Sequence, residues 1–114
     1  FINFTNHPSS LWDEVQKQAA EAFGTIIDIP FPVVAPNLSE DEIRELGDTF
    51  TKNMLSHNPS AVLCQGEFTL AFYITSQLKK QNIPVLAACS ERDTVMVGNE
   101  KRSIFKFVQF REYV

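Results

Sequence analysis

Four short segments hold the residues of this chain that could do chemistry. Asn6-His7-Pro8-Ser9-Ser10 places an amide, an imidazole and two hydroxyls around a proline. Gln65-Gly66-Glu67-Phe68-Thr69 places an amide, a carboxylate and a hydroxyl around a glycine. Ser90-Glu91-Arg92-Asp93 supplies a hydroxyl and a guanidinium, and Pro30 to Asn37 is a stiff stretch with prolines at 30, 32 and 36. Ser9, Ser10 and Thr69 can donate to a phosphate, and Arg92 can supply positive charge. The first two segments lead into predicted helices, whose free N–H groups and dipole favour an anion. Neither a Walker A sequence nor G-x-G-x-x-G occurs, which argues against a standard NTPase or NAD enzyme.

The elements between these segments would have to bring them together. Phe1 to Thr5 is short, aromatic and β-branched and reads as a strand. Pro8 then disfavours helix at His7. Ser10 can cap a helix whose apolar residues are Leu11, Val15, Ala19, Ala22 and Phe23, ended by Gly24. Thr25 to Ile29 is a second strand. Ser39 and Glu42 form a capping box for a second helix, with Ile43, Leu46, Phe50 and Met54 on its apolar face. Ala61 to Cys64 is uniformly apolar, as in a strand covered on both sides. A third helix runs from about Glu67 to Lys80, and Ile83 to Cys89 is a fourth strand. Ser90 to Asp93 reads as a polar loop after it. Thr94 to Val97 and Ser103 to Arg111 form a C-terminal β-ribbon with its turn near Gly98-Asn99.

Strands alternating with helices predict an α/β domain spanning residues 1–114. The expected form is a Rossmann-like three-layer sandwich, with a mostly parallel central sheet and the ribbon at its end. In such a sheet, ligands bind beyond the carboxyl ends of the strands, where all four segments would lie.

Composition narrows the function classes. The 114 residues suffice for one core, and 44% apolar with 21% charged residues is ordinary for a globular protein. A net charge of −4 disfavours long nucleic acid as a partner but leaves room for a small anion. No apolar run approaches the roughly 20 residues of a membrane span. The first ten residues lack the basic cluster of a signal peptide. Cys64 and Cys89 fit neither a disulfide scaffold nor zinc spacing, and read as core thiols of a cytoplasmic protein.

Each candidate also has a plain structural reading. Ser10 can be a helix cap, His7 a turn residue, Glu67 a complement to a helix dipole and Gly66 a backbone requirement. Arg92 can pair with Glu91 or Asp93. His57 belongs to the last turn of the second helix. The Phe105, Phe107 and Phe110 series reads as core or dimer contact before it reads as a base-stacking platform.

Ile2-Asn3-Phe4-Thr5 followed by His7-Pro8 and a helix resembles the start of the small stand-alone proteins encoded beside type III CRISPR systems. Those proteins are similar to the CRISPR-associated Rossmann fold (CARF) domain. The resemblance implies a homodimer binding a cyclic oligoadenylate second messenger across its strand ends, and for a ring nuclease, metal-independent cleavage of that ring without a cofactor. It implies that Asn6, Ser9 and Ser10 contact phosphate or ribose and that His7 is the general acid or base. Gln65, Gly66, Glu67 and Thr69 would form a second wall with Ser90 beside it, and Arg92 would stabilise developing charge.

Three other readings make different demands. A sponge or sensor would hold the same ligand intact. A nucleoside glycosyl-transfer enzyme would use Glu67 as nucleophile on a ribosyl carbon, so Glu67 would matter more than His7. A plain interaction module would use an exposed sheet edge or the Phe-rich ribbon to pair with another chain.

Overall fold

Five strands and three α-helices follow one another along the chain. They are β1 (Ile2–Phe4), α1 (Glu14–Glu21), β2 (Ile27–Asp28), α2 (Glu40–Leu55), β3 (Val62–Cys64), α3 (Phe68–Lys80), β4 (Val85–Val97) and β5 (Glu100–Glu112). The structure, a computed structural model, describes residues 1–114. The sheet order is β2-β1-β3-β4-β5. The first four strands are parallel and β5 is antiparallel to β4, so the protein is an α/β fold on a five-stranded mixed sheet. From β1 the chain winds outward to β2, then returns past β1 to β3. The direction of winding therefore reverses between β1 and β3, which opens a crevice at their carboxyl ends.

Alternation along the strands assigns the cores. Ile2, Phe4, Val62, Cys64 and Val85 face α2 and α3, meeting Met54, Leu70, Ile74 and Leu78 in one buried cluster. Leu63 and Leu86 face the other way and meet Phe1, Trp12 and Ala20 of α1. Full burial of an Ile, Leu or Phe side chain contributes roughly 1.5–3 kcal/mol, so these short central strands are held chiefly by their side chains. α2 carries the predicted capping box, with Ser39 and Glu42 exchanging hydrogen bonds.

Two expectations need correction. Ser10 does not cap α1. Ser9–Leu11 forms one 3-10 turn, Trp12 is extended, and Asp13 caps α1 by accepting from the Gln16 N–H at 2.8 Å. The predicted apolar stripe fails with it. Leu11 is 80% exposed and Val15 57%, and the buried helical position is Ala20. Trp12 displaces that register, because its indole packs on Phe1 and Phe110 and so fixes where the chain enters the helix.

Second, Ser90 to Asp93 is not a loop. β4 continues through it to Val97 and pairs with β5 along its length. The segment is polar because the ribbon leaves the sheet there: β3 pairs with β4 only at Val85 and Leu86, and from Ser90 outward most side chains of both faces are exposed, Phe107 excepted. The ribbon closes through a two-residue turn, Gly98-Asn99, with Gly98 at φ 64°. A register shift between Cys89 and Ser90 leaves Val108 as an extra residue in β5. This bulge puts Phe107 opposite Ser90 while Phe110 stays opposite Ala88. Phe105, Phe107 and Phe110 therefore share one face despite the odd spacing from 107 to 110.

Candidate functional site

The loop after β1 is built on one buried amide. Asn3 is 1% exposed, at the centre of β1. Its Nδ2 donates to Asp28 Oδ1 at 2.8 Å and to the His7 carbonyl at 2.9 Å. Its Oδ1 accepts from Thr5 Oγ1 at 2.8 Å, and Thr5 Oγ1 in turn accepts the His7 N–H at 3.1 Å. Trp12 Nε1 donates to the same His7 carbonyl at 3.1 Å. Asp28, at the end of β2, also accepts from the Ser9 hydroxyl at 2.8 Å and the Ser9 N–H at 3.3 Å. Residues 5–12 are thus tied to two strands and to a buried indole. These bonds engage only backbone atoms of His7, which leaves its exposed imidazole available to a ligand.

A cleft of about 720 Å³ opens beside this loop. Thr5, His7 and Leu11 form one side of it, Leu63 and Gln65 its floor at the end of β3, and Ser90, Phe105 and Phe107 the ribbon side. Trp12, Asp13, Gln16 and Ala88 complete the lining. It lies where the winding of the sheet reverses. Gln65 Oε1 accepts the Ala88 N–H at 3.1 Å, beside the bulge, and so bridges β3 to β4. That bond assigns the amide orientation and directs the Gln65 NH2 group to other partners. The exposed Phe105 ring, backed by the buried Trp12 and Phe107, and several neutral hydrogen-bonding groups can hold a planar heterocycle and a sugar, by stacking and by bonds to its edges.

The predicted residues divide among several places. His7, Gln65 and Ser90 reach the cleft. Asn6 is exposed and outside it. Ser9 and Ser10 instead line a shallower, open hollow of about 660 Å³ with Lys17, Glu21, Gly24, Thr25 and Ile26. Arg92 lies farther out on the ribbon, opposite Phe105, where its Nε and Nη2 donate to Ser103 Oγ at 3.1 and 2.9 Å. The segment Pro30 to Asn37 stays on the α2/α3 side, with Phe31 in that core.

Glu67 and Thr69 are occupied with each other. Glu67 is the N-cap of α3, and its carboxylate accepts from the Thr69 N–H at 3.0 Å, the Leu70 N–H at 2.9 Å and the Thr69 hydroxyl at 2.7 Å. The Leu70 N–H, then the Thr69 hydroxyl and N–H, hold this carboxyl below its ordinary value. Glu67 itself therefore fills the anion position of α3. Replacing it by alanine should cost about 1 kcal/mol, as loss of a helix cap does, read as the change in urea midpoint at constant m. Because the folded carboxyl is the more acidic, its contribution is full above the unfolded value and is lost as pH falls through the folded one. The gap between the two proteins should therefore narrow below about pH 4. A gap that widened on acidification would reverse this assignment.

Gly66 meets a packing demand. A Cβ placed there would come within 2.5 Å of the Phe31 ring, which packs on Phe4 at a tilt of 38° with centroids 4.8 Å apart. Gly66→Ala should therefore cost about 1–3 kcal/mol as an overpacked site. A melting temperature equal to that of the unaltered protein would show that Phe31 yields freely. Cys64 is buried and its thiol is pushed up to about 11 by that burial, so it is a core residue and no nucleophile. Nowhere do three or more His, Cys, Asp or Glu side chains group so as to hold a metal ion.

Asn3, Asp28 and Trp12 were not singled out for the site by sequence reasoning, which reads Phe105 and Phe107 as core or dimer contact ahead of base stacking. Asp28 carried a usable signal, being the last residue of a strand whose carboxyl end faces the crevice. Phe105 and Phe107 share a face by alternation; what the sequence hid was the bulge at Val108 that brings Phe110 onto the same face.

The fold and cleft define a small α/β protein with an aromatic and polar crevice at the reversal point of its sheet. Residues 1–111 match the Uncharacterized protein MJ1673 family. The chain belongs to that family. No curated protein and no solved structure matches it. No helix is long and apolar enough to cross a membrane.

Proposed function

We propose that this chain binds a cyclic oligoadenylate second messenger in the cleft and opens the ring without a metal ion, ending a type III CRISPR signal. In this reading it is a CARF-like, Rossmann-like three-layer domain, cytoplasmic and homodimeric, with no long nucleic acid as partner. The observation that carries the proposal is the lining of the crevice: the exposed Phe105 can stack on a base against a buried backing of Trp12 and Phe107, with Thr5, His7, Gln65 and Ser90 around it.

The chemistry asked of the protein is positional. A ribose 2′-oxygen attacks the adjacent phosphorus, the bond to the 5′-oxygen breaks, and a 2′,3′-cyclic phosphate remains. The 2′-hydroxyl loses one proton and the leaving 5′-oxygen gains one. His7, its backbone fixed and its imidazole open to the cleft, can serve either transfer. Holding the three reacting atoms in line supplies much of the rest. Two copies related by a two-fold axis would offer two such clefts to one ring.

Glycosyl transfer through Glu67 fits less well. A nucleophilic carboxylate must reach the sugar, and this one is committed to the first turn of α3. Incubating the pure protein with cyclic tetra-adenylate and resolving the products by chromatography tests the proposal. Linear products ending in a 2′,3′-cyclic phosphate support it. Intact ring that co-elutes with protein leaves a sponge, and no association sinks both.

A further inference from the structure

Beyond the cleft, the two faces of the ribbon differ in charge. The face continuous with the cleft carries Ser90, Arg92, Thr94 and Met96 from β4, opposite Phe107, Phe105, Ser103 and Lys101 of β5. It holds two cations and no acid. The opposite face carries Glu91, Asp93 and Glu100 against Arg102 and Lys106, with Lys106 across from Glu91 and Arg102 within 3.8 Å of Glu100. Neither Arg92 nor Lys101 takes part in an ion pair. Arg92 is nevertheless oriented, since Ser103 Oγ accepts from both its Nε and its Nη2. A neutral hydroxyl fixes the guanidinium without cancelling its charge, and leaves donors for a second acceptor.

The chain as a whole carries a net charge of −4, so this face differs in sign from the molecule. The cationic face also begins at the cleft, because Ser90, Phe105 and Phe107 belong to both. Arg92 stands two residues past Ser90, roughly 6.6 Å along a strand at 3.3 Å per residue. An aromatic seat followed by cations along one strand face suits a single-stranded backbone that carries its base inward and its phosphates outward.

We infer that this face of the ribbon is a phosphate track, in which Arg92 and Lys101 take the phosphodiesters of a short oligonucleotide whose base occupies the cleft. The inference rests on the nucleotide reading above and adds a second subsite to it. It also gives Arg92 a binding role outside the crevice. Ring opening would require no contact from this residue.

Calorimetric titration with cyclic tetra-adenylate at two salt concentrations tests it. The doubly substituted protein, Arg92→Gln with Lys101→Gln, should bind at least about tenfold more weakly. Its slope of log K against log salt should be shallower by about 1.4, at about 0.7 for each phosphate that is no longer neutralised. Lys106→Gln, on the opposite face, should change affinity less than twofold. Equal affinity in the double variant overturns the track and leaves the cleft reading standing, as does an equal loss in Lys106→Gln, which would mean net charge alone acts. If the unaltered protein binds linear tetra-adenylate but not the ring, and the double variant loses that binding, the track stands and the ring reading falls. No binding of either probe sinks both.

Discussion

Asn3→Ala should lower the stability of this protein by about 3 kcal/mol, a fall in Tm of roughly 12 °C at about 4 °C per kcal/mol. That magnitude follows from the three bonds that end on one buried side chain. A hydrogen bond to an ionised acceptor such as Asp28 contributes about 1.5–3 kcal/mol, and each neutral one about 0.5–1.5 kcal/mol. Both strands that fix the crevice loop are joined through this amide, so the loss extends from stability to the shape of residues 5–12. Asn3→Asp separates the network from simple packing. An ionised carboxylate there faces Asp28 and cannot donate, so this variant should be less stable than Asn3→Ala at pH 7 and should regain stability in acid, where a protonated carboxyl donates. Thermal melts of both variants between pH 4 and 7 give the comparison. A Tm within about 3 °C of the unaltered protein for Asn3→Ala would mean that the loop holds its shape without the amide.

The second large effect concerns His7. If the chain opens a cyclic oligoadenylate, His7→Ala should reduce the single-turnover rate by about 10²- to 10⁴-fold, the usual contribution of a positioned acid or base. Affinity for the intact ring should change far less. Stability should hardly move, because the bonds that fix this loop use the backbone of His7 and survive the substitution. Glu67→Gln should leave the rate within a few-fold while weakening the α3 cap. The opposite order, with Glu67 decisive and His7 dispensable, would favour attack of a carboxylate on a sugar carbon. Equal and complete loss in both variants, with both still folded, would show that each touches the reacting groups.

Much of the architecture is legible in the amino-acid sequence. The uniform apolarity of Ala61 to Cys64, the capping box at Ser39 and the apolar length of α3 all correspond to what folds. Each is a local signal, set by residues that lie within a few positions of one another. What stayed hidden was non-local. Trp12 overrides a helical stripe because of Phe1 and Phe110, which lie 11 and 98 residues away along the chain. Ser90 to Asp93 imitates a loop because a strand that leaves its sheet loses the alternation a buried face imposes. His7 and Gln65 lie beyond the ends of β1 and β3, where the strand-end rule looks, whereas Ser90 lines the cleft from within β4, which runs on to Val97. Arg92 did not reach the cleft, because that rule assumes the strand stops there. Asn3 was passed over because a polar residue in a short strand gives no sign of which way it faces until the neighbouring strands are known.

The ribbon's departure from the sheet has a thermodynamic consequence. Past Leu86 the hairpin has no third strand and no helix packed over its outer half, and an isolated two-stranded hairpin is marginal in water. Its amides should exchange with solvent through openings far smaller than global unfolding, whereas those of β1 and β3 should exchange only with it. Anything gripping the cationic face must first select the closed hairpin. Its measured affinity is then the intrinsic one scaled by the fraction of molecules in which the ribbon is formed. A cross-strand disulfide or a stronger turn at Gly98-Asn99 would tighten binding without any new interaction with the ligand.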